Sequence, residues 1–252
     1  MENTEYTSME QALASAPQQE GSTRLGDSWL LGFDTETTGT RPGKDGIVSA
    51  SLVLRDPSKG YSGDVVATWI VNPHRHISKG ASRVNGFTDD QLATQGMEPE
   101  LATEQMAGFI ARAQNKRIPL LAYNAPFDVQ MLDGDIAHWC SGSVKPLSEG
   151  DLLVVDPLVL DREISHRSGR RTLGMTSEYY GVIPHGNFHN ATADTVAAVD
   201  LIKPMTTLFP QVARITMDSL MDWQRQAQAK WRDQFNQHLI SQGRRPVTDN
   251  WL

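Results

Sequence analysis

Apolar and polar positions alternate with two periods along the chain. Residues 29–33 are an apolar run, Trp29-Leu30-Leu31-Gly32-Phe33, that ends in Asp34-Thr35-Glu36-Thr37-Thr38-Gly39. A run of this length closing on small hydroxyl residues and glycine reads as a buried strand. Residues 47–55 and 65–71 alternate well enough for two more strands, separated by turn clusters at Asp56-Pro57-Ser58-Lys59-Gly60 and closed by Asn72-Pro73. These three predict an antiparallel meander, and residues 118–123 and 152–155 predict two further buried strands.

Helical spacing fills the remainder. A short helix is predicted over 77–86, and the next starts behind the hydroxyl cap Thr88. A longer one runs from Pro99 to about Gln114 with Leu101, Met106, Phe109 and Ile110 as its apolar face. Asn124-Ala125-Pro126 turns into a helix carrying Phe127, Asp128, Met131 and Leu132. Further helices are predicted after Asp156-Pro157, over 172–180 and from Ala191 to about Phe209, where Lys203-Pro204 marks a kink or boundary. The fold class is α/β, a mixed five-stranded sheet with helices on both faces.

The ends differ in composition. Residues 1–25 are polar with little to bury and predict a mobile tail. From Asp218 the chain turns to Gln, Arg and Trp at helical spacing, which predicts one long amphipathic helix ending near Gly243. Its aromatic stripe either docks on the domain or meets a partner. The division expected is a tail over 1–25, a globular domain over 26–210 and a helical extension over 211–252.

Composition excludes several classes. The single cysteine, Cys140, rules out an intramolecular disulfide framework and reads as a small buried residue. The chain shows neither an apolar run long enough to span a membrane nor a signal-peptide core near Met1, so a cytoplasmic setting is expected. A net charge of -7 argues against coating nucleic acid electrostatically. It leaves open an enzyme that grips a strand end through cations.

The candidate chemistry sits in the acids. Asp34 and Glu36 are two residues apart on a strand and project from one side. Taken alone they read as a solvated strand end. Asp128 falls in the first turn of a helix that follows a strand, and Asp194 just inside a helix that Asn190 can cap. His189 sits on the preceding loop. Four acids and a histidine form the parts list for two-metal phosphodiester hydrolysis, with hard oxygen donors suited to Mg²⁺ or Mn²⁺ and a neutral imidazole suited to accept a proton. The other histidines (His74, His76, His138, His166, His185, His238) lie on polar stretches and read as surface residues.

Three segments, residues 33–39, 124–128 and 189–194, resemble the three motifs of the DEDDh 3′–5′ exonucleases, the family of the proofreading epsilon subunit of DNA polymerase III. The histidine five residues before the last acid indicates the h branch, and the tail resembles extensions of actinobacterial members and those of their phages. The resemblance covers residues 28–205. It implies a ribonuclease H-like fold, two divalent cations held by Asp34, Glu36, Asp128 and Asp194, and His189 as general base. It also implies that Thr37, Thr38, Gly39, Ala81, Val84, Asn85, Tyr123, Asn124 and Phe127 contact the 3′ end of a single strand. For Phe127, core packing is the competing reading. Tyr123 and Asn85 stand where many relatives have histidine. The implied activity is 3′–5′ hydrolysis of single-stranded DNA in proofreading or repair, with a DNA polymerase as partner through the C-terminal helix. RNA as substrate, or a non-catalytic polymerase-docking subunit, are the alternatives.

Overall fold

The computed structural model describes residues 4–186, 190–248 and 251–252. Strands β1 (Leu30–Thr37), β2 (Ile47–Arg55), β3 (Val65–Ile70), β4 (Leu120–Leu121) and β5 (Val154–Val155) form a single sheet in the order β3-β2-β1-β4-β5. The first three pair antiparallel as the meander predicts, and β4 and β5 run parallel to β1. The helices are α1 (Thr4–Ser15), α2 (Lys79–Asn85), α3 (Asp89–Gln95), α4 (Pro99–Asn115), α5 (Pro126–Trp139), α6 (Pro157–Ile164), α7 (Leu173–Tyr180), α8 (Ala191–Asp200), α9 (Ile202–Leu208), α10 (Pro210–Ala213) and α11 (Leu220–Ser241). No described helix is long and apolar enough to cross a membrane.

Strand alternation divides the side chains of β1 between two layers. Leu31 and Phe33 enter a core shared with Met106 and Ile110 of α4 and Val129 and Leu132 of α5. Leu30 enters the other, with Leu160 of α6, Val199 of α8 and Leu220 of α11. Gly32 shares the α8 side. A Cβ there would stand 2.6 Å from both Thr195 Cγ2 and Val199 Cγ2, so glycine lets α8 lie directly against the strand. That contact decides where Asp194 is placed.

Three expectations change. The N-terminal segment is a packed helix rather than a mobile tail: Met9 and Leu13 of α1 are buried, Tyr6 stacks on Trp69 at 5.1 Å, and the Tyr6 hydroxyl donates to the Thr68 carbonyl at 2.9 Å. Two apolar residues four apart suffice to dock a short helix on a sheet that supplies the rest of the surface. Strands β4 and β5 are two residues each, shorter than predicted. The helix expected from Ala191 to Phe209 is divided at Leu201 into α8 and α9, because Pro204 has no N–H to offer the carbonyl four residues back. Of the two readings of the C-terminal helix, docking is the one seen: α11 packs on α6 and β5 and buries Leu220, Gln224, Ala227 and Leu239. Its aromatic pair is half-buried: Trp231 stacks on Phe235 at 5.1 Å, and the Arg162 guanidinium lies 3.6 Å over the Trp231 ring.

Candidate active site

The site lies where β1 ends. Asp34 and Glu36 project from the α8 side of the strand, and Asp194 meets them from the first turn of α8. That helix begins where the sequence places it, with the Asn190 side chain accepting from the Ala193 N–H at 3.2 Å. One carboxylate oxygen from each of the three acids lies within 4.8 Å of the others. Among the described residues, Asp34-Glu36-Asp194 is the one cluster of three or more such groups with metal-ligand spacing. Burial pushes the Asp34 carboxyl well above the usual carboxylate range, and the charges of Asp128, Asp194 and Glu36 push it further. Three hard oxygen donors held this close, one of them buried, are a donor set whose repulsion a divalent cation relieves.

Asp128 arrives from the opposite layer, around the end of the strand. It is 3% exposed, and its Oδ1 accepts from the Thr35 N–H at 2.9 Å and the Thr35 hydroxyl at 2.7 Å. Burial drives its pKa up to about 7 against the pull of those two bonds. It stands outside the trio yet close enough for its charge to act on Asp34. His189 lies outside the described residues.

Beside the acids a groove of about 410 Å³ is lined by Glu36, Thr37, Gly39, Ala81, Val84, Asn85 and Phe127. Apart from Glu36, an expected metal ligand, these are residues expected to contact the strand end, and Phe127 lines the groove although it also packs against the core. Thr35, Thr40, Ser78 and Gly80 line it too and were not anticipated. Ser78 was legible as a helix cap: its hydroxyl accepts from the Ala81 N–H at 3.1 Å and starts α2.

Three of the expected contacts stand away from the groove. Thr38 is buried, and its hydroxyl accepts from the Gly46 N–H at 3.1 Å, tying the end of β1 to β2. Tyr123 turns into the α6 layer, where its hydroxyl donates to the Arg171 carbonyl at 2.8 Å. Asn124 is exposed at a turn with φ of 66°, a left-handed conformation that asparagine tolerates better than most residues. The sharp turn after the two-residue β4 sends Tyr123 and Asn124 elsewhere.

A mixed sheet with paired acids closing its first strand, and a third acid on the helix packed behind it, defines a ribonuclease H-like nuclease fold. Escherichia coli exonuclease I bound to a dA16 oligonucleotide superposes with a TM-score of 0.61 at 20% identity over 73% of this chain and 42% of that one. The chain belongs to the exonuclease family, whose RNase T model matches residues 31–202. It is 31% identical over 196 residues to a DNA polymerase III subunit epsilon-like protein of Rhodobacter capsulatus, covering 76% of this chain but 24% of that protein. It is 29% identical to the DNA polymerase III subunit epsilon of Treponema pallidum, over 69% of this chain and 74% of that protein.

Proposed function

We propose that the chain is a divalent-metal-dependent exonuclease that releases nucleoside monophosphates from the 3′ end of single-stranded DNA. The observation that carries this reading is the convergence of Asp34, Glu36 and Asp194 beside the groove that Val84 and Phe127 line. In it, Asp34, Glu36 and Asp194 hold one cation, and Asp34 with Asp128 supports a second. Divalent cations bound there supply the Lewis acidity that lowers a water's pKa and offsets charge on the leaving 3′ oxygen. The groove takes the terminal nucleotide, with Val84 and Phe127 against the base and the backbone of Thr37 and Gly39 along the sugar. His189, two positions ahead of α8 in the sequence, takes the proton of the attacking water. The polymerase III names of its relatives support a role in replication or repair beside a polymerase, and the DNA-bound exonuclease I supports a single strand as substrate.

The test is digestion of a 5′-labelled DNA oligonucleotide with Mg²⁺, Mn²⁺ or chelator, alongside an RNA of the same sequence. A descending DNA ladder abolished by chelator and by Asp34→Ala is expected. Equal digestion by Asp34→Ala overturns the assignment, and faster cleavage of RNA overturns the substrate.

A further inference from the structure

The outer edge of β5 meets a side chain instead of a sixth strand. Gln224 of α11, fully buried, accepts from the Asp156 N–H through Oε1 at 2.8 Å and donates from Nε2 to the Val154 carbonyl at 2.7 Å. A planar amide offers donor and acceptor together, so one glutamine answers two backbone groups that a strand would otherwise pair. Asp156 is 1% exposed, and its carboxylate gathers four N–H groups. Oδ1 accepts from Asn124 and Leu158, each at 3.0 Å. Oδ2 accepts from Ala125 at 3.1 Å and from the Trp251 indole at 3.1 Å.

Two of these donors, the Asn124 and Ala125 amides, belong to the turn that launches α5. The Asn124 and Ala125 carbonyls then accept from the Phe127 and Val129 amides at 3.0 and 3.1 Å. A continuous line of hydrogen bonds therefore runs from Gln224 and Trp251, through Asp156 and the left-handed Asn124 turn, to the helical turn bearing Phe127 and Asp128. Both Gln224 and Trp251 lie beyond the residues matched by the family model.

We infer that Gln224 and Trp251 are positioning residues for the site, acting through Asp156 to fix the Asn124–Ala125 turn and, with it, the placement of Asp128 and Phe127. The inference rests on the exonuclease reading for its kinetic consequence, and on geometry alone for its structural one. A buried carboxylate that keeps its N–H partners holds the turn in one conformation, whereas an unpaired oxygen there is costly and frees it to move.

Trp251→Phe in the full chain keeps an aromatic ring and removes the indole donor. Amide hydrogen exchange over residues 122–128 is expected to quicken by about tenfold, the effect of losing one bond to a charged group, while exchange in β1–β3 stays at the parental rate. The turnover number is expected to fall by about threefold to tenfold, with KM within twofold. Gln224→Met, close in volume, should quicken exchange over the same residues. Trp231→Phe, two helical turns further along α11 with its ring against Arg162, serves as the control with parental values. Parental exchange over 122–128 in Trp251→Phe overturns the inference. A parent that leaves the oligonucleotide intact overturns the exonuclease reading instead, and the exchange measurement then decides the inference by itself.

Discussion

Thr35 holds Asp128 twice, its backbone N–H and its hydroxyl donating to the same carboxylate oxygen at 2.9 and 2.7 Å. The residue between the two strand acids faces the other layer and so reaches the acid that comes from that layer. Thr35→Val keeps the β-branched shape and deletes the hydroxyl. Because the lost bond stabilised the charged carboxylate, Asp128 will titrate higher, and stability at pH 8 should drop by about 1.5–3 kcal/mol. Urea denaturation at pH 8 and pH 5 measures this, with the smaller loss at pH 5, where Asp128 is already protonated.

The metal-free protein should lose stability as pH rises. Burial pushes Asp128 to about 7 and Asp135 to about 6, and burial with neighbouring charge raises Asp34. For each, the folded state binds a proton that the unfolded state has released, so stability is fullest below about pH 4 and declines through pH 7 as far as these groups set it. Melting temperature measured in chelator should therefore fall between pH 5 and pH 8. Added Mg²⁺ or Mn²⁺ should narrow the fall, because a cation takes the place of protons at Asp34 and Asp128 while Asp135, which accepts from the Ile47 N–H at 2.9 Å, keeps its own share.

Asp34→Asn should separate stability from activity. Removing one charge from a crowded set of acids relieves repulsion, so the metal-free variant is expected to melt above the parent at pH 8. Cleavage and cation binding, followed by calorimetry, should both be lost.

Gly32→Ala tests how the layers set the site. The new methyl would meet Thr195 and Val199 at 2.6 Å, and α8 must move outward to admit it. A cost of about 1–3 kcal/mol is expected from overpacking, together with weaker Mn²⁺ binding as Asp194 is carried away from Asp34. Calorimetric titration and thermal melting check the two effects separately.

Much of this was readable in the sequence because it obeys simple periods. The alternation along residues 30–37 places Asp34 and Glu36 together, and the caps Thr88 and Asn190 mark helix starts that the structure reproduces. What stayed hidden depends on contacts between distant segments. The α1 helix has too few apolar residues to announce itself, and the Trp69 ring that Tyr6 stacks on lies some sixty residues further along the chain. Tyr123 reads as a groove residue until the Asn124 turn is known. Gln224 reads as surface because nothing in a helical pattern shows that a sheet edge needs an amide.

The packed N-terminal helix alters what a minimal unit of this protein can be. Residues 31–202 carry the acids and groove, yet Met9, Leu13 and Leu25 lie before them and Leu220, Gln224 and Leu239 after. Cutting the chain to its recognisable middle would strip greasy cladding from both sides of the sheet and leave Trp69 and the rim of β5 bare. Such a fragment should clump rather than cut.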